Sequence, residues 1–138
     1  MGNSRKQLKF TMPVYYTIVK KTKPNTTHLI GSNFLRNVHF HVKNKIKQDT
    51  AKLIVDQLTE SVTLKSPYKV TYTYFYKNKA TDLMNVVSAS SKIFLDALQS
   101  SSVNVIENDT VSHCIEEKAV VGGLDKLNPR VEIIIEEV

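Results

Sequence analysis

Tyr68–Asp109, YKVTYTYFYKNKATDLMNVVSASSKIFLDALQSSSVNVIEND, carries two hydrophobic periods in succession. From Tyr68 to Lys77 the side chains alternate. Tyr68, Val70, Tyr72, Tyr74 and Tyr76 take one face, and Lys69, Thr71, Thr73, Phe75 and Lys77 take the other. A period of two with one aromatic and one more polar face predicts a strand covered on one side. Such tyrosines could stack on bases, but a core face with hydroxyls at its rim is the stronger reading. After the turn Lys77–Ala80 the period lengthens. Val86, Ile93, Phe94, Ala97 and Leu98 then fall broadly on one side of a helix over about Leu83–Gln99. Asn85, Ser88, Lys92 and Asp96 make a polar stripe on it. SSSVN breaks this helix, and Glu107-Asn108-Asp109 forms an acidic turn.

Outward from this stretch the elements are simpler. Downstream, Val111–Val121 and Arg130–Val138 read as strands joined by GGLDKLNP, a loop with turn chemistry, and so predict an antiparallel C-terminal β-hairpin. Upstream, Lys9–Val19 is β-branched and aromatic and predicts one strand, with Pro13 at an edge or a bulge. Lys20–Asn33 reads as an exposed loop, and residues 1–7 as a loose polar start. Ser32 or Asn33 caps a long helix reaching about residue 60, with Leu35, Val38, Val42, Ile46, Leu53 and Leu58 as its apolar stripe. The order β, α, β, α, β, β predicts an α+β fold, helices packed on a mixed β-sheet. With 138 residues, one domain over 1–138 is expected.

Charge is unevenly spread beneath a net +6. Up to residue 52 the only acid is Asp49, whereas the last strands and turns are mostly acidic. A basic front half suits a polyanion, because lysines that neutralise phosphates release counterions; a solvated surface is the plainer alternative. Lys20, Lys21 and Lys23 in the loop, Arg36, Lys43, Lys45 and Lys47 on the long helix, and Lys77 and Lys79 after the tyrosine strand are the candidate phosphate contacts. Cys114 is the only cysteine, which excludes an internal disulfide and a cysteine-rich zinc site. An inert, buried thiol is expected there. His39 and His41, two apart, point to different sides of a helix and do not suit a shared metal. No apolar run approaches the length of a membrane span or follows the early basic residues as in a signal peptide, so a cytoplasmic protein with no membrane contact is expected.

The acids of the central stretch suggest chemistry. Phosphodiester hydrolysis needs an activated water and positive charge on the phosphate oxygens, and Mg²⁺ supplies both when held by a few carboxylates. Asp82 stands where strand gives way to helix, and Asp109 lies in a turn the fold could bring beside it. Lys92 shares the helix face of Asn85. Each residue also has a plainer explanation: Asp82 as a helix N-cap, Lys92 and Asp96 as a surface pair, Asn108-Asp109 as a turn.

These residues resemble the RusA family of Holliday-junction resolvases, found in phages and prophages. That family has a basic strand end, D-L-D-N opening a helix, a Lys four residues before D-A-L, and a turn containing D-D. Here Lys77 and Lys79 precede Asp82-Leu83-Met84-Asn85; Lys92 stands four residues before Asp96-Ala97-Leu98; Glu107-Asn108-Asp109 supplies the turn. Upstream, Asn33–Asn37 leading into Asn44–Lys47 is similar to the long-helix region of phage members. The resemblance implies a Mg²⁺-dependent homodimeric endonuclease, bound to branched DNA (a four-way junction) and using no small-molecule cofactor. It implies Asp82 and Asp109, with Glu107, as metal-binding carboxylates and Lys92 against the scissile phosphate. Met84 departs from the pattern where the family has a second Asp. A thioether is a poor ligand for a hard ion, so the alternative implied is a junction-binding protein with weak or lost cutting.

Overall fold

A computed structural model describes residues 5–138; the first four, part of the polar start, lie outside the described residues. β4 (Tyr68–Tyr76) runs inside a four-stranded sheet. On one side of it lies β6 (Arg130–Glu137), antiparallel, and beyond that β1 (Gln7–Pro13), antiparallel to β6. On the other side lies β5 (Cys114–Leu124), parallel to β4 and joined to it through α3 (Leu83–Gln99). Two further strands, β2 (Tyr15–Ile18) and β3 (Thr26–Leu29), pair antiparallel as a separate ribbon. The helices α1 (Ser32–Asn37) and α2 (Phe40–Gln57) follow the ribbon. The fold is α+β, with the helices packed on a mixed sheet.

The alternation in β4 does what its period requires. Tyr68, Val70, Tyr72 and Tyr74 are buried against α3, while Lys69, Thr71, Thr73 and Phe75 stay half-exposed on the opposite face. From α3 come Val86, Ile93, Phe94 and Leu98, all buried; Phe94 meets Phe10 of β1 edge-on at 5.3 Å. Each such large apolar side chain contributes about 1.5–3 kcal/mol by leaving water, so this face is the main source of cohesion. Ile46 and Ile54 of α2 complete the core from the side. Predicted and observed bounds of α3 coincide, because a capping Asp, an apolar stripe and the SSSVN break all mark it.

Several expectations are corrected. Lys9–Val19 is two strands, not one. The chain turns at buried Val14, whose carbonyl accepts from the Ile30 N–H at 2.7 Å, and β1 and β2 then join different sheets. Pro13 does end an edge strand, where its missing N–H costs no ladder bond. Lys20–Asn33 is not all loop. Thr26–Leu29 forms β3, and only the tip between β2 and β3 turns, closed by the Lys20 N–H donating to Asn25 Oδ1 at 2.9 Å. Nor is the long helix continuous. Val38 is extended, and His39 caps α2 by accepting from the His41 N–H at 3.2 Å through Nδ1. The last two strands are both present and run antiparallel, but they are not a hydrogen-bonded hairpin, because β4 lies between them. Their loop crosses the end of β4, where the Asp125 N–H donates to the Tyr76 carbonyl at 2.8 Å.

Candidate nucleic-acid interface

The carboxyl ends of β4 and β5 finish together, since Tyr76 is paired with Leu124. In sheets built from parallel strands, the crevice outside the carboxyl ends is where ligands settle. Here two clefts adjoin. One, of about 760 Å³, is lined by Tyr15, Lys77, Asn78, Lys79, Leu124 and Lys126. The other, of about 640 Å³, shares Asn78 and continues to Asp82, Met84 and Asn85 on α3 and to Ser32 and Asn33 on α1.

Local chemistry fixes each wall. Asp82 is the N-cap of α3: its Oδ1 accepts from the Met84 N–H at 3.0 Å, which satisfies one of the free donors at the helix start. Asn85 ties α3 to α1. Its carbonyl accepts from the Ser32 hydroxyl at 3.3 Å, and its side-chain oxygen lies 3.4 Å from the Asn33 N–H. Gly31 lets the Asn85 amide come close at this crossing, since a Cβ there would have to push that amide aside. Lys77 stands 5.5 Å above the Tyr15 ring. Lys126 rides on a loop clasped by Arg130, which donates to Asp125 Oδ2 at 2.7 Å and to the Asn128 carbonyl at 2.9 Å while lying 4.0 Å over the Phe75 ring. Arg130 accordingly holds the Asp125 carboxyl below its usual range, with the Asn128 N–H as a second cause. Nearby, the Tyr74 hydroxyl is buried without a hydrogen-bond partner among the described residues. Burial raises its pKa.

The candidate phosphate contacts divide. Lys77 and Lys79 line the cleft, and the ribbon β2–β3, whose base carries Tyr15 and Leu29 of the cleft walls, bears Lys20, Lys21 and Lys23 at its tip. Arg36 lies one turn along α1 from Asn33. None of these has a carboxylate within 4.0 Å among the described residues. By contrast Lys45 pairs with Asp49 at 3.1 Å and Lys47 reaches Asp96 at 3.7 Å; Lys43, half-buried on the same helix, has no carboxylate within 4.0 Å among the described residues. Lys126 was not among the expected contacts. A parallel β4–α3–β5 reading would have revealed it, since only then do the residues after both strands fall together.

The expected catalytic residues are not brought together within one chain. Asp82 and Asp109 lie off opposite ends of α3, a helix of 17 residues and so about 25 Å long. Asp109 sits at the amino end of β4, where the Tyr68 hydroxyl donates to the Asn108 carbonyl at 2.6 Å. Glu107 is beside it, 4.0 Å from His113. Lys92 is ten residues along α3 from Asp82, about 15 Å away, and its ammonium is held 3.2 Å from Asp96. The plainer roles are therefore all filled: Asp82 caps, Lys92 pairs, and Asn108 turns its side chain onto the Asp109 N–H at 2.8 Å.

Among the described residues no three His, Cys, Asp or Glu side chains converge as a metal site would require. Asp82 is the single carboxylate lining the clefts. Mg²⁺ needs few protein ligands when substrate phosphates and water complete its shell, so Asp82 with neighbouring amide oxygens fits part of such a site. Cys114, at the start of β5, is half-buried, and burial with the Glu117 charge raises its pKa to about 11, so it is no nucleophile at neutral pH. No described helix is long and apolar enough to cross a membrane. No protein-family model matches the chain, and no curated protein is detectably similar to it.

Proposed function

We propose that this chain grips the phosphate backbone of branched DNA across the carboxyl end of β4 and, as a homodimer, cuts it as a Mg²⁺-dependent endonuclease of the RusA type. The observation that carries the reading is the set of free lysines, Lys77, Lys79 and Lys126, in the cleft that adjoins Asp82, with Lys20, Lys21 and Lys23 at the far tip of the ribbon that rises from it. Lysines without protein partners have their charge available for phosphate, and contacts of this kind read shape rather than sequence. The ribbon β2–β3 has the dimensions of an element that lies along a DNA groove. Asp82 would hold Mg²⁺, with Asn85 and Asn78 as nearby oxygen donors; the ion supplies positive charge against the phosphate oxygens. The lysines position the strand, and α3 directs the partial positive charge of its amino end into the same cleft. Asp109 and Glu107 can share in this site only across the dimer, because each chain holds them at the far end of α3.

A labelled four-way junction, with a linear duplex as control, tests the reading. Junction-selective binding without Mg²⁺, and paired symmetric nicks with it, are expected. Asp82→Asn should lower cutting by about a hundredfold or more and leave binding within about twofold. Equal binding to linear and branched DNA would overturn the reading. One observation favours a second outcome, junction binding without cutting: Met84, exposed beside Asp82, offers a thioether where a second carboxylate would strengthen the site. No product in Mg²⁺ or Mn²⁺, with selective binding retained, would establish it.

A further inference from the structure

Three aromatic rings stand together at the break between α1 and α2, open to water. Two residues apart on a helix, His39 and His41 would diverge. His39 instead lies just outside α2 as its cap, and its ring meets theirs. It stacks at 4.8 Å on Phe40 and at 4.8 Å on His41, while the Phe40 and His41 rings lie 4.1 Å apart. All three residues are exposed, Phe40 to 59%. Single exposed apolar residues need no explanation, but a cluster of aromatic faces left to water does. The cluster is also held in place. His39 Nδ1 accepts from the His41 N–H, and its carbonyl accepts from the Val42 and Lys43 N–H groups at 3.0 and 3.2 Å. A surface already ordered loses little freedom when something settles on it.

We propose that the His39–Phe40–His41 cluster is a stacking platform for an unpaired nucleobase, and that the favoured ligand is branched DNA with single-stranded nucleotides at the branch. This rests on the nucleic-acid reading of the neighbouring cleft. Shape and charge together select the occupant. Every base has a flat π-face, and stacking on aromatic side chains holds single strands with little regard to sequence. Phosphate needs cations beside those rings, and two are there. Lys43, three residues after Phe40, shares its side of α2, and Arg36 stands in the last turn of α1. Neither has a carboxylate within 4.0 Å among the described residues. A peptide or lipid anchor needs exposed aliphatic side chains, and the neighbouring Val38 and Val42 are half-buried.

Platform and cleft lie along one path. Asn33 lines the cleft, and the chain reaches His39 through the rest of α1 and Val38, so the two lie within roughly 15 Å of each other. Arg36 falls between them. A strand whose phosphates rest on Lys77 and Lys79 can leave its duplex past α1 and lay a free base on Phe40. Fully paired arms offer no such face, because their bases are stacked on one another. Phe34 of α1 is not a second platform: it is half-buried, with its ring stacked at 5.2 Å on His28.

Filter binding of the full-length chain tests this on a fully paired four-way junction, the same junction with unpaired thymines at the branch, and a linear duplex. The wild type should bind the looped junction about tenfold more tightly than the paired one. Phe40→Leu keeps the apolar bulk but removes the π-face, and should erase that difference. Phe40→Trp should preserve or widen it. Phe40 is exposed, so both variants should melt with the wild type. With an unpaired 5-iodouracil in the loop, irradiation should crosslink the DNA at Phe40 or His41. Equal wild-type affinity for the looped and paired junctions would overturn the platform. So would a Phe40→Leu variant that keeps the preference, or a crosslink confined to other residues. Competition by poly-glutamate as strong as that by oligo-thymidine would overturn it too, and would make the patch an acidic-peptide site. In each of these cases, selective binding of the paired junction over the linear duplex leaves the cleft reading standing. Binding to none of the three probes would end both.

Discussion

At the carboxyl end of β4, Lys77, Lys79 and Lys126 line an open cleft with no carboxylate in ion-pair reach among the described residues. At its amino end the acids are mostly occupied. Glu117 accepts two hydroxyls, Glu136 lies 3.8 Å from Lys69, and Glu137 accepts the N–H groups of Lys6 and Lys65 at 3.0 and 2.6 Å. Charge of one sign is held in reserve, and charge of the other is built into the architecture. Unpartnered groups are where a ligand gains most, because nothing in the protein must be broken to reach them.

The largest expected effect follows from that contrast. Replacing Lys77, Lys79 and Lys126 together by Ala should cut junction affinity on the order of tenfold to a hundredfold near 0.15 M salt, and lower the slope of log K against log salt by about 2.7, roughly 0.9 per lost phosphate contact. Replacing Lys45, Lys47 and Lys92, which pair with Asp49 and Asp96, should leave affinity within about twofold. Filter binding across a salt series reads both. Equal losses for the two triples would erase the distinction between free and paired lysines.

Two tyrosines on the same strand sharpen the comparison at the level of stability. The Tyr72 hydroxyl donates to Glu117, and burial with that charge raises its pKa well above the usual phenol value. The Tyr74 hydroxyl, near the other end, is buried with no hydrogen-bond partner among the described residues; the Thr81 hydroxyl is close by but donates to the Asn78 carbonyl at 2.8 Å. Tyr72→Phe should therefore cost about 1–2 kcal/mol, or roughly 3–7 °C in Tm, since it removes a buried hydrogen bond to a charged group. Tyr74→Phe removes nothing that is paired and should move stability by less than about 0.5 kcal/mol, in either direction. Thermal melts of both variants check this, and a larger loss at Tyr74 would mean its hydroxyl has a partner.

Sequence and structure agree where one residue type allowed one physical role. The tyrosine alternation of β4 and the capping Asp82 with its apolar stripe predicted the core face and α3 correctly, because period and cap are local properties. The errors share a different cause. Nothing local says that β5 pairs with β4 rather than with β6: the turn residues of GGLDKLNP suit a hairpin and a crossing loop alike. Taking the hairpin hid both the parallel β4–α3–β5 unit and Lys126. The same long-range ignorance let Asp82 and Asp109 be placed side by side, although seventeen helical residues between them already imply a wide separation. Val38-His39 shows the converse. A histidine ring serving as an N-cap is a local device, but the apolar stripe runs through it and masks the break.

The smallest expected effect compares how the two ends respond to acid. Glu137, paired across the sheet with Tyr68, has its carboxyl held below the ordinary range by the Lys6 and Lys65 N–H groups; Asp125, at the far end, is held low by Arg130 and the Asn128 N–H. A carboxyl depressed in the folded state contributes stability that is present above its unfolded pKa and is lost as pH falls through its folded pKa. For Glu137 that loss begins below about 4.5, and for Asp125 below about 3.8. The amino end should therefore loosen first on acidification. Glu137→Gln should lower Tm slightly at neutral pH, where the ionised oxygens are lost, and flatten its fall over the first unit below 4.5. Asp125→Asn should leave the stretch between 4.5 and 3.8 unchanged and flatten only what lies below 3.8. Melts at closely spaced pH values separate the two, and parallel curves for both variants would mean that neither carboxylate is a determinant of acid stability, leaving the clasps on Lys6, Lys65 and Arg130 as geometry without energetic consequence.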